Sequence, residues 1–97
     1  MKGLDEIKKI LSANKKKIMQ KYNVSEIGVF GSYVSGTPHK TSDVDILVEY
    51  REKPDLFGFV ELRDYISDLL GIKVDLVMKS SLKPRIGRNI LKEVVTI

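Results

Sequence analysis

Apolar positions follow two periods along this chain. Over residues 4–21, Leu4, Ile7, Leu11 and Ile18 recur at helical spacing, with Ile10 and Met19 beside them. That pattern predicts an amphipathic helix with most of its lysines on other faces. Tyr22-Asn23 is a plausible stop. Glu26 to Phe30 reads as a short buried strand, and Ser32 to Gly36 as one helical turn, with Ser32 able to cap it. Thr37 to Thr41 is a loop by its proline and polar content. From Asp43 to Tyr50 the period falls to two. Val44, Ile46 and Val48 point to one face, and Asp43, Asp45 and Leu47 to the other. This split predicts a packed layer behind the strand and carboxylates in front.

The second half repeats the alternation of helix and strand. Asp55 caps a predicted helix over 56–70, which Gly71 ends. Its core face is Phe59, Leu62, Ile66 and Leu69 or Leu70. Ile72 to Val77 reads as a third strand, with Lys73, Asp75 and Val77 on one face. Ser80 and Ser81 open a loop, and Pro84 starts a last helix through about Glu93. Val94 to Ile97 is a short apolar tail that suits an interface if exposed, or docks on its own domain.

Composition narrows the classes. Ninety-seven residues make one small domain, 1–97, with a modest core and little room for a separate substrate domain. The chain is 42% hydrophobic and 31% charged, the balance of a soluble globular protein. It has no cysteine, so disulfides and thiolate metal sites are excluded. No apolar run approaches the ~18 residues of a membrane span, and the first residues lack the apolar stretch of a signal peptide. These features are compatible with the cytoplasm, away from membranes, and that location is the expectation. The net charge of +4 suits polyphosphates or an acidic partner and is too small to argue for nucleic acid.

The candidate chemistry lies in Gly31-Ser32, ten further residues, then Asp43-Val44-Asp45. Asp43 and Asp45, two apart on a strand, project side by side with Cα atoms about 6.5 Å apart. Aspartate is disfavoured in strands, and paired carboxylates repel. A divalent cation relieves both problems, and Mg²⁺ accepts one or two carboxylates together with phosphate oxygens. Gly31 lets a phosphate approach the backbone closely.

Gly-Ser followed at this interval by Asp-x-Asp resembles the nucleotidyltransferase superfamily motif, and the gap and flanks are closest to the minimal nucleotidyltransferase, or MNT, type. The resemblance runs from the leading helix through Ile72-Lys73-Val74-Asp75-Leu76-Val77 to Ile90-Leu91-Lys92-Glu93-Val94. It implies an α/β (α+β) fold: a small nucleotidyltransferase fold with a short mixed β-sheet and flanking helices. It implies Asp43, Asp45 and Asp75 as catalytic residues and metal ligands for two Mg²⁺ ions. Gly31 and Ser32 would bind the nucleotide, with ATP as substrate. Members of this type are typically antitoxins paired with HEPN-domain toxins. The implied reaction is transfer of AMP to a tyrosine hydroxyl of the cognate HEPN ribonuclease. An antitoxin that neutralises its toxin by contact alone is the alternative. A nucleic-acid binder would need an aromatic-rich sheet or a recognition helix, and neither is evident.

Other residues have plainer readings. Asp75 can be a surface aspartate paired with Lys73 or Lys79, or a ligand and general base. His39 is expected to be solvated. Tyr33, Phe57, Phe59 and Tyr65 are expected to pack. Lys79, Lys83, Arg85 and Arg88 can reach a triphosphate or an acidic partner, or simply suit an exposed helix.

Overall fold

The computed structural model describes residues 3–36 and 43–97. The loop expected around Thr37-Pro38 and the solvated His39 lie outside these residues. Helix α1 (Leu4–Tyr22) leads into strand β1 (Val24–Phe30), the short helix α2 (Ser32–Ser35) and strand β2 (Val44–Tyr50). Helix α3 (Leu56–Leu70), strand β3 (Val74–Met78), a 3₁₀ turn (Lys79–Ser81), helix α4 (Pro84–Glu93) and strand β4 (Val95–Thr96) follow.

The strands form one mixed sheet in the order β3-β2-β1-β4. β1 is antiparallel to both β2 and β4, while β2 and β3 are parallel. A parallel pair needs a crossover of a dozen or more residues, and α3 supplies it. The Asp55 carboxylate accepts from the Gly58 N–H at 2.7 Å, and Gly71 closes the helix with φ +66°. Both ends of α3 are therefore set by the residues the sequence marked.

One face of the sheet carries the core. Ile27, Val29, Val44, Ile46 and Val48 pack there with Ile7, Leu11 and Ile18 of α1 and Leu62, Ile66 and Leu70 of α3. The period-two split of β2 thus holds, and the heptad-like spacing of α1 turns its three buried residues onto this layer. Leu70 is buried while Phe59 and Leu69 sit at the margin.

The opposite face is arranged in rows across the strands. Phe30, Asp45 and Asp75 share one row, Gly28, Leu47 and Val77 the next, and Glu26 and Glu49 the third. Glu26 and Glu49 are like charges opposite each other, a destabilising arrangement. Lys79 offsets it, with its Nζ 3.1 Å from Glu49 and 3.9 Å from Glu26. The Glu49 hydrogen bond, then the nearby Glu26 charge, raises the Lys79 pKa.

Four expectations change. Ser32 does not cap α2, because Gly31 occupies the cap position and Ser32 is already helical. The third strand starts at Val74 rather than Ile72, the N–H of Val74 being held by the Ser67 hydroxyl at 3.0 Å. Phe57 does not pack; it is 79% exposed at the start of α3. The tail is not free, since Val95 and Thr96 pair with Val29 and Gly28 and Ile97 donates its N–H to Ile27 at 2.9 Å.

Gly28 permits that last pairing. A Cβ there would lie 2.7 Å from Val94 Cγ2 and 3.2 Å from the Val95 carbonyl oxygen. Gly28→Ala is expected to cost about 1–3 kcal/mol through overpacking, measured as a lower denaturation midpoint at unchanged m-value.

Candidate functional site

β1 ends at Phe30, and the chain turns at Gly31 with φ +79° and ψ −150°, backbone that a side chain rarely tolerates. The turn lies against β2. A Cβ on Gly31 would collide with Asp45 Oδ2 and lie 2.9 Å from Asp45 Cγ. Both the torsion and the close approach therefore require glycine here.

Asp45 pairs in register with Asp75 on the neighbouring parallel strand. Residues in register project on the same face, so the two carboxyl groups meet, and a hydrogen bond links them. Burial, then the charge of Asp75 and the hydrogen bond to it, with Asp43 adding its own charge, pushes the Asp45 pKa up to about 6. Asp43 precedes β2 by one residue and is half-buried, while Asp75 is exposed. Spacing along one strand put Asp43 beside Asp45 and the resemblance implied Asp75 as the third carboxylate; the register sets Asp75 next to Asp45, with Asp43 just ahead of β2.

The donor set is all oxygen, which suits a hard cation. Among the described residues no group of three or more acidic or histidine side chains stands close enough to hold a metal ion as arranged. The Asp45–Asp75 pair still fits such an ion: two carboxyl groups side by side in one sheet row repel when ionised, and a divalent cation between them would relieve that. Asp75 makes no ion pair with Lys73 or Lys79. Lys79 is committed at the other end of the sheet, so that plain reading of Asp75 is removed.

Two further features escaped sequence reasoning. Glu93, at the end of α4, accepts from the Gly31 N–H at 3.2 Å and adds its charge to the field on Asp45. An acidic residue in the last turn opposes the helix dipole, and that mismatch is the one signal the sequence carried. Beside the carboxylates lies a cleft of about 500 Å³ lined by Asp43, Asp75, Lys73, Arg63 and Ser67 among others. A cleft of similar size, about 570 Å³, sits at the far ends of β2 and β3 and does not touch the carboxylates.

Comparison with known proteins settles the family. The model for the nucleotidyltransferase domain matches residues 4–97. The chain belongs to this family. It is of the MNT type and is a nucleotidyltransferase. It is 54% identical to the protein adenylyltransferase MntA of Thermococcus cleftensis, over 100% of this chain and 98% of the relative. A solved chain assigned as a minimal nucleotidyltransferase superposes with TM-score 0.75 at 28% identity, covering 92% of this chain and 94% of that one. A toxin–antitoxin structure with AMP-PNP gives TM-score 0.72 at 27% identity, over 87% of this chain and 69% of that chain.

The raised pKa of Asp45 has a stability consequence. In the folded protein Asp45 keeps its proton up to about pH 6, whereas the unfolded chain releases it near 3.8. The ionised carboxylate therefore destabilises the fold at neutral pH, and stability is regained as pH falls through 6 toward 4. In EDTA at pH 7.5, Asp45→Asn is expected to stabilise the protein by roughly 1–2 kcal/mol, discounted for partial exposure. The gain should vanish by about pH 4 in thermal melts. A gain that persists there would assign the effect to packing.

Proposed function

We propose that this nucleotidyltransferase is an antitoxin that transfers AMP from ATP to a tyrosine hydroxyl of a cognate HEPN ribonuclease toxin. The observation that carries this reading is the Asp45–Asp75 carboxyl pair set against the Gly31 turn. It is supported by full-length likeness to a protein adenylyltransferase and by fold likeness to a toxin–antitoxin structure with AMP-PNP.

In this reading Asp43, Asp45 and Asp75 would hold Mg²⁺, two ions in the family's pattern. Bound there, Mg²⁺ would supply charge neutralisation for the α-phosphate and the pyrophosphate. The chain's own residues then position the reactants. Gly31 and Ser32 would receive the β and γ phosphates, which requires the Glu93 carboxylate to give up the Gly31 N–H. The acceptor oxygen bonds to the α-phosphorus, and the bond from that phosphorus to its bridging oxygen breaks. Pyrophosphate leaves with the bonding pair. Asp75, the exposed member of the pair, is placed to take the hydroxyl proton. Holding both partners in line carries much of the rate.

In this reading the acceptor belongs to another protein, which the likeness to a protein adenylyltransferase supports. Incubation of the HEPN protein with this chain, ATP and Mg²⁺ is expected to add AMP units to the HEPN protein, read by intact mass. Asp43→Ala with Asp45→Ala should lower the rate by roughly 10²–10³-fold or more while the complex persists. Neutralisation that survives this double substitution would instead make the chain a contact antitoxin. Separately, Mg²⁺ should raise the melting temperature of the wild-type chain and not of the double variant.

A further inference from the structure

Helix α4 crosses the carboxylate face of the sheet. It starts beyond the 3₁₀ turn at the far end of β3 and finishes with Glu93 at Gly31. Gly87 is buried against Leu82, and Leu91 and Val94 line a small cavity with Gly28 and Leu47. These contacts turn one side of α4 inward. At 100° per residue, Arg85, Arg88 and Lys92 then fall within 60° of one another on the outward side. Ile86 shares the i, i+4, i+7 line with Ile90 and Glu93, so it lies on the flank that leads to the Gly31 turn.

The outward side is unpaired. Lys83, Arg85, Arg88 and Lys92 are exposed and make no ion pair or side-chain hydrogen bond with a described residue. The one acid of α4, Glu93, is occupied at Gly31. Ile86 is 57% and Leu91 46% exposed, flanking the cationic stripe. A merely solvated helix face has no use for a large exposed apolar side chain such as Ile86 near uncompensated cations.

We infer that α4 is the docking surface for the acceptor protein, and that it takes an acidic surface whose apolar centre covers Ile86. This inference rests on the proposed protein acceptor and adds where that protein sits. The charges are complementary to an acidic partner, and the helix ends at the reaction site. A partner seated on α4 is thereby held beside Asp45 and Asp75. The apolar flanks favour protein over RNA, which would be bound by charge through its phosphates.

The experiment measures binding of the HEPN protein without nucleotide, by calorimetry, for wild type, Arg85→Glu with Arg88→Glu, Ile86→Asp, and Phe57→Asp as a control on α3, which packs on the other face of the sheet. AMP-PNP affinity, binding of a single-stranded RNA probe and melting temperature are recorded for each. The double charge reversal is expected to weaken the complex about 30-fold or more and Ile86→Asp about tenfold, with AMP-PNP affinity, melting temperature and Phe57→Asp binding unchanged. Retained complex in both α4 variants would overturn the inference, as would loss confined to Phe57→Asp. A fall in AMP-PNP affinity with the complex intact would also overturn it, by assigning the cations to the triphosphate. So would loss confined to a single-stranded RNA probe. A wild-type complex that gains no AMP mass would sink the transfer reading alone, since docking is read without ATP.

Discussion

The parallel pairing of β2 with β3 places Asp45 directly beside Asp75, and much of the remaining structure accommodates that contact. Two carboxyl groups in one sheet row repel when ionised, and partial burial of Asp45 adds to the penalty. The fold tolerates this because the pair lies at one end of a sheet whose other face is filled with aliphatic side chains from α1 and α3. The apolar layer supplies stability, and the carboxylate corner uses some of it. Local destabilisation of this kind is common where a site must bind a cation or a reactant.

Two ends of the carboxylate face are handled in opposite ways. At the far end, Glu26 and Glu49 also meet across strands, yet Lys79 neutralises them. At the near end, Asp43, Asp45, Asp75 and Glu93 gather without a cation making an ion pair with any of them among the described residues. The fold thus contains a compensated acidic pair and an uncompensated one. Only the second lies against the Gly31 turn. That contrast marks the near-end cluster as the candidate site.

α4 and β4 complete the arrangement. β4 docks against β1 where Gly28 has no side chain, and this seats the end of α4 at Gly31. The C-terminal elements therefore belong to the site as much as to the scaffold. They bring Glu93 to a backbone amide 62 residues away in sequence and leave a basic, partly apolar helix face beside the carboxylates.

The sequence alone determined the elements whose signals are local. The span of α3 followed from Asp55 and Gly71, whose capping chemistry acts within a few residues. The inward face of β2 followed from strict alternation, and the Gly-Ser and Asp-x-Asp motifs marked the near end of the sheet. What it left open depended on partners distant in the chain. Register across two strands decided that Asp75 touches Asp45, because alternation fixes a face and not a neighbour. The exposure of Phe57 was hidden for the same reason: an aromatic residue beside a helix start reads as core until the packing of the helix is known. The tail read as an apolar end became a strand, since two residues gain strand character only from the edge of β1 that receives them. Glu93 carried just a mismatch with the helix dipole. Its contact with Gly31 was decided by tertiary structure, because a hydrogen bond between residues so far apart exists only once the sheet has brought both ends of the chain together.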